Sequence, residues 1–489
     1  MSAFTPLDIA VLLAYLLGVT LWGAWLGRGQ KGGTDYFLGG RDLPWWAVLL
    51  SVVATETSTL TFLSIPGVSY LGSMVFLQLT LGYLLGRILV SLFLLPSYFR
   101  GEVTTVYGLL EQRFGRGTRR MTSGIFMGTR LLADSVRLFA TAIPLALVTG
   151  WEYWLSVAVI GLLTLVYTYF GGIRAVVWVD VLQMFLYMAG AAVAAWVLQG
   201  LVPGGWGEVM ALAGAEGKLQ VVEWSLDPRA TYTVATGVLG GAVFSMASHG
   251  TDQLMVQRLL TCRDLPSAQK ALVGSGVVVI VQFAVFLLLG IGLWAFYQGA
   301  DFAVADEIFA TFIVNELPSG VAGLLIAGVF AAAMSTLSSS MNALASASAY
   351  DIWAPLVGAE GDEHRIFRAG RVFTVIWALL LVGTAILYIP LAEGSTAVEV
   401  ALAIASLVYG GLLGAFVLAL VDPKATSAGA MTGIVAGVLV VAAIWARGVV
   451  TGEPLLAWPW FPLVGGLVTM GVAMITSRVL GGAATPEAP

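Results

Sequence analysis

The chain has 489 residues, 59% of them hydrophobic and only 10% charged, with mean hydropathy +0.92 and formal net charge -5. Soluble domains run at about 45–50% apolar and about 25% charged, so a soluble globular enzyme is excluded. One cysteine (Cys262), two histidines (His249 and His364) and no basic run longer than Arg119-Arg120 leave no material for a disulfide framework, a Cys/His metal centre or a nucleic-acid surface.

About 20 apolar residues cross a bilayer, and thirteen stretches of that kind follow one another at 6–27, 43–71, 74–98, 121–149, 152–170, 175–199, 232–256, 270–297, 319–349, 367–391, 396–420, 427–447 and 457–478. The first follows a segment with no basic region or small-residue cleavage pattern and is expected to be retained as a helix. Of the 23 Lys and Arg, 17 fall in one alternating set of loops, while only Lys218, Arg229 and Arg447 fall in the other and Arg87, Arg130 and Arg137 lie inside spans. By the positive-inside rule this predicts an all-α polytopic protein of the cell membrane, N-terminus outside and C-terminus cytoplasmic. The acidic stretch 301–316 then falls outside, where an amphipathic segment is expected, and 481–489 form a polar tail.

Two spans are spoiled by polar residues, which are costly in hydrocarbon. The second reads Ser-Val-Val-Ala-Thr-Glu-Thr-Ser-Thr-Leu-Thr over 51–61, with Pro66-Gly67 beyond, and the seventh reads Ser-Met-Ala-Ser-His-Gly-Thr-Asp-Gln over 245–253. Interrupted helices in corresponding places mark the midplane site of an inverted-repeat transporter. The predicted organisation is therefore a leading helix and first cytoplasmic loop (1–42), a first repeat (43–200), an extracellular loop (201–231), a second repeat (232–420) and two peripheral helices (421–480) before the tail (481–489). In the ninth span, Ala332, Ser335 and Thr336 share one helix face, and Ser335, Ser338 and Ser339 share it a turn further on. Stacked oxygens of this kind suit a hard alkali cation, with carbonyls freed near Ala54 and Thr57 completing the shell; small-residue helix packing would use the same residues.

Four segments in order resemble the sodium:solute symporter family: Ala54-Thr-Glu-Thr-Ser58 with Pro66-Gly67; Tyr169-Phe-Gly-Gly-Ile-Arg174 with Asp180; Asp252-Gln-Leu-Met-Val-Gln-Arg258; and Ala332 to Ser339. The resemblance runs from the first span to about residue 420. It implies a LeuT-type five-plus-five inverted repeat with one extra helix in front, alternating access, and sodium as the coupling ion with no organic cofactor and no enzymatic activity. Carried over by position, it implies a principal sodium site of Ala54, Thr57, Ala332, Ser335 and Thr336, and in some members a second sodium at Asp180, Ser335, Ser338 and Ser339. An ion pair of Asp180 with Arg174 or Arg258 is the alternative for that carboxylate. Gln257, Arg258 and Asp252 resemble a cytoplasmic-side network.

Departures from the family bear on the solute. Sugar-transporting relatives carry Gln where this chain has Thr61 and a Tyr-Trp pair where it has Ser248-His249, which argues against a hexose. Glu56 stands where proline carriers have Asp, and the fourth span carries Arg130, Asp134 and Arg137. A guanidinium holds a carboxylate bidentately while Glu56 would take an ammonium, so Glu56, Ser58, Thr61, Arg137, Ser248 and His249 are the candidate solute contacts and an amino acid or other small zwitterion or carboxylate is the expected solute. Buried pairing among Glu56, Asp134 and the arginines is the competing account. The expected partners are the solute and the lipid bilayer, with no nucleic acid and no obligatory protein partner. Proton coupling, a sugar or polyol solute, and a non-transporting sensor or channel on the same scaffold are the alternative functions.

Overall fold

The computed structural model describes residues 5–28, 30–101, 103–302, 305–388 and 397–481, so the expected tail beyond 481 and the link between the tenth and eleventh spans lie outside the described residues. The described chain is helical throughout its spans, with one isolated bridge between Leu43 and Cys262. Helix α1 (Pro6–Leu26) opens on a capping box in which Thr5 and Asp8 exchange bonds. The spare Asp8 oxygen accepts the amides of Gly320 and Gly323 at 2.7 and 2.8 Å, which pins this leading helix to the start of a later one.

The second span is two helices, α2 (Trp45–Glu56) and α3 (Thr59–Leu71), meeting at a bend of 62°. Thr57 leaves helical geometry (ψ 84°) and Ser58 caps α3 through its hydroxyl on the Thr61 amide. Helix α4 (Leu77–Arg100) follows, then α5 (Arg116–Thr149) and α6 (Tyr153–Leu201). At 1.5 Å per residue, the 49 residues of α6 would exceed twice the ~30 Å hydrocarbon thickness. Gly172 breaks it at φ +54°, and a Cβ there would lie 2.5 Å from the Tyr36 carbonyl; only glycine serves both demands. The seventh span is broken as well. A π-helical stretch (Val234–Gly240) leads into α7 (Gly241–Gly250), the chain leaves the helix at Thr251, and Asp252 caps α8 (Gln253–Leu259) through the Leu254 amide at 2.9 Å. The expected interruptions at the second and seventh spans are both present.

The remaining long helices are α9 (Leu265–Phe296), α10 (Val321–Ala347), α11 (Glu363–Tyr388), α12 (Ala397–Val421), α13 (Ser427–Thr451) and α14 (Phe461–Gly481). Nine described helices are long and apolar enough to cross a membrane, and the bent pair α2–α3 makes a tenth. The acidic stretch holds a helix, Ala305–Glu316, laid on α3, and the 201–231 loop holds another, Gly205–Ala215.

Packing repeats with an offset of five spans. Helix α3 packs on α9 as α7 packs on α4, and α5 packs on α12 as α10 packs on α6. Close approach relies on small residues: a Cβ on Gly290 of α9 would fall 2.0 Å from the Pro66 carbonyl of α3. Nine-tenths of α10's most apolar stretch is buried (89%) against 28% for α1, so α10 sits at the centre and α1 at the lipid-facing edge.

Candidate functional site

The two breaks and the serine-rich face of α10 meet at the centre of the bundle. Where α2 ends, the Thr57 amide bonds back to Val53 and the Ser58 amide to Glu56, so Ala54 and Thr55 lose the main-chain partners that a continuous helix would supply. Thr336 of α10 answers this gap: its hydroxyl lies 3.4 Å from the Thr55 carbonyl and 3.3 Å from the Ala332 carbonyl. Thr57 Oγ1 donates to Val53 at 2.9 Å and accepts from Gln282 of α9 at 2.6 Å. The donor set here is neutral oxygen throughout, which suits an alkali cation. Among the described residues no group of three or more His, Cys, Asp or Glu side chains is placed to hold a metal.

Ser335 turns away from Thr336 to donate to Asp180 Oδ1 at 2.6 Å. The other Asp180 oxygen accepts from Ser51 at 2.5 Å and from Arg258 at 3.2 Å, and Arg258 also donates to Ser339. Ser338 and Ser339 donate back to the Ser335 carbonyl at 3.0 and 2.6 Å. The guanidinium of Arg258 thus stands beside Asp180 where a second cation would be held. Arg174, the other arginine considered for Asp180, pairs instead with Asp42 at 2.6 Å. Gln257 donates to the Phe37 carbonyl and to Asn342 at 2.8 and 2.7 Å, so the sequence from Asp252 to Arg258 ties α8 to its neighbours.

Beside the break lies a cavity of about 210 Å³. Every expected solute contact lines it: Glu56, Ser58, Thr61, Arg137, Ser248 and His249. Its aromatic wall, formed by Tyr83, Phe244, Tyr409 and Trp458 among others, was not foreseen. Glu56 is not free to take an ammonium, because Arg87 of α4, fully buried and also bonded to Ser275 at 2.9 Å, forms an ion pair with it. Sequence offered a signal for this partner, since Arg87 is an arginine inside a span, but not its mate. Asp134 accepts from Arg130 and Arg137 at 3.2 Å each and from Ser340; Arg130 also reaches Asp252 at 2.6 Å and Tyr409 at 3.2 Å. Arg130 is therefore held by two carboxylates and Tyr409, whereas Arg137 has Asp134 as its sole salt-bridge partner among the described residues and faces the cavity. His249 is 3% exposed; Nδ1 meets Ser248 at 2.9 Å, and Nε2 has no hydrogen-bond partner and lies 3.8 Å from Glu56.

Two broken helices five spans apart, both lining one central cavity in a helical membrane bundle, define a secondary transporter of the inverted-repeat class. The sodium:solute symporter family model matches residues 36–437, and the chain belongs to that family. It is a sodium-coupled membrane symporter and not an enzyme. Similar curated proteins include the human sodium/iodide cotransporter, 29% identical over 446 residues (88% of this chain, 67% of the relative). The sodium/sialic acid symporter SiaT of Proteus mirabilis is 28% identical over 450 residues, covering 90% of each chain. Among solved structures, a substrate-bound, outward-open sodium-coupled sialic acid symporter superposes with a TM-score of 0.86 at 27% identity, covering 97% of this chain and 98% of that one. A nucleobase-cation-symport-1 transporter in a closed conformation shares the fold at 12% identity and TM-score 0.57, covering 94% and 97%.

Proposed function

We propose that this protein imports a small carboxylate-bearing organic solute together with sodium, by alternating access across thirteen membrane passes with the N-terminus outside. The pass count takes α6 as two passes at Gly172 and adds the charged α5 and the broken α7–α8 to the ten apolar spans. The ion sits among the carbonyls of Ala54, Thr57 and Ala332 and the hydroxyl of Thr336, and the hydroxyl of Ser335 joins them by swinging from Asp180, to which it donates in this structure. Freed carbonyls at the end of α2 and the Thr336 hydroxyl beside them support this reading. Asp180 serves the fold through Arg258, so a second sodium there requires that guanidinium to move.

The observation that carries the solute class is Arg137, a half-buried guanidinium on the cavity wall with one shared carboxylate partner. Arg87 already neutralises Glu56, which removes the reason for an ammonium and leaves a carboxylate as the charge that Arg137 selects. The unpartnered Nε2 of His249 supplies a polar contact for the rest of the solute. Similar proteins are named for sialic acid and for iodide, each an anion in neutral water. The cavity is smaller than the ~300–1,000 Å³ of ordinary ligand clefts, which favours a compact solute.

Thermal stabilisation of the purified protein by carboxylates and their neutral amides, each in sodium and in potassium at matched ionic strength, tests this. The expected result is stabilisation by a carboxylate in sodium only, by linkage, and its loss in Arg137→Gln with the sodium response kept. An amide that works as well as its acid overturns the solute class. Stabilisation that ignores sodium but follows pH moves the coupling to a proton, with Glu56 or Asp180 as its carrier.

A further inference from the structure

Away from the central cavity, a second concavity of about 470 Å³ opens at the start of α11, lined by Trp353, Arg365, Arg368, Ala369, Val372 and Phe373. Arg365 and Arg368 are three residues apart, hence neighbours on one helix face, and both are exposed. Among the described residues neither has a carboxylate within salt-bridge distance; Arg365 instead lies over the Trp353 ring, 5.7 Å from its centroid. The nearby acidic side chains are engaged elsewhere: Glu360 with Arg116 at 3.0 Å, Glu363 with the Thr34 amide at 2.6 Å, and Asp362 with the Arg365 amide at 3.0 Å.

What continues from this basic mouth is apolar. Val372, Ile376 and Leu379 follow Arg368 along the same face of α11 and are 58%, 41% and 65% exposed. Exposed aliphatic side chains on a membrane-spanning helix meet acyl chains, and a tryptophan beside them belongs at the headgroup level. Arg365 and Arg368 also belong to the positively charged set of loops that the charge bias places on the cytoplasmic side, where anionic lipids concentrate.

We infer that this concavity is a binding site for an anionic glycerophospholipid of the inner leaflet, its phosphate held by Arg365 and Arg368 and one acyl chain laid along Val372, Ile376 and Leu379. Charge complementarity selects the headgroup: two free guanidiniums beside one ring favour a phosphate diester with no balancing ammonium over a zwitterionic headgroup. The inference does not depend on the sodium site or on the solute.

Lipid titration of the full-length protein in detergent, read by native mass spectrometry, tests it, with phosphatidylglycerol and phosphatidylcholine of identical chains and soluble glycerol phosphate as competitor. Phosphatidylglycerol is expected to be retained in preference to phosphatidylcholine. Because a basic residue near an anionic surface contributes on the order of 1 kcal/mol, the double variant Arg365→Gln/Arg368→Gln is expected to weaken phosphatidylglycerol about 30-fold. Both substitutions are on the surface and leave the fold intact, and Arg447→Gln, which removes one charge from the opposite face, serves as control. Equal retention of the two lipids, equal affinity in the double variant, or displacement of the lipid by glycerol phosphate at similar concentration overturns the inference.

Discussion

Two adjacent residues on α10 illustrate how a side chain's second partner decides what its removal costs. Among the described residues the Thr336 hydroxyl meets two carbonyls, at 3.3 and 3.4 Å, so it holds little of the fold together. Ser335 donates at 2.6 Å to the buried Asp180, whose charge needs that bond. Thr336→Ala is therefore expected to raise the sodium concentration for half-maximal uptake about tenfold, by loss of one charge-bound oxygen, with a melting temperature close to the parent's. Ser335→Ala is expected to raise it too and to lower the melting temperature as well. Unchanged sodium dependence in Thr336→Ala, measured as uptake against sodium, removes that hydroxyl from the ion shell. At this scale the sequence told which residues share a helix face and not whom they meet. The serine ladder and the polar break were visible from spacing, and all six expected solute contacts do line one cavity. The pairing of Glu56 with Arg87 was not, because the partners sit on different helices 31 residues apart and only packing brings them together.

At the scale of elements, the breaks were legible wherever they carry polar residues, since a membrane helix tolerates a cluster of hydroxyls and a carboxylate only where the backbone has a use for them. The π-helical stretch before α7 left no such mark, and neither did the tie from Asp8 to the start of α10, which joins residues more than 300 positions apart. Gly172 is a test of how far a single residue shapes an element. Its φ of +54° with ψ of -157° lies in a region that only glycine occupies freely, and a Cβ would collide with the Tyr36 carbonyl at 2.5 Å. Gly172→Ala is expected to destabilise the protein by about 3 kcal/mol or more, seen as a marked fall in melting temperature in detergent. If the variant melts within a degree of the parent, the turn between the two halves of α6 does not require glycine and the break has another cause.

For the whole molecule, the eight charged side chains packed around the cavity and α8 balance. Arg87, Arg130, Arg137 and Arg258 face Glu56, Asp134, Asp180 and Asp252, every one engaged in at least one ion pair with a member of the other set. A core of zero net charge that takes up one sodium and one carboxylate remains neutral, so the membrane potential gains no purchase on the loaded carrier. A second sodium would change this, because each uncompensated charge crossing the bilayer is worth about 2.3 kcal/mol per 100 mV, or roughly a 50-fold change in accumulation. Since Arg258 already supplies the positive charge beside Asp180, we expect one sodium per carboxylate and no voltage dependence. In proteoliposomes with a fixed sodium gradient, imposing an interior-negative potassium diffusion potential of about 100 mV should leave the steady-state solute ratio unchanged. A rise of tens of fold would mean that Arg258 gives way and that Asp180 carries a second ion.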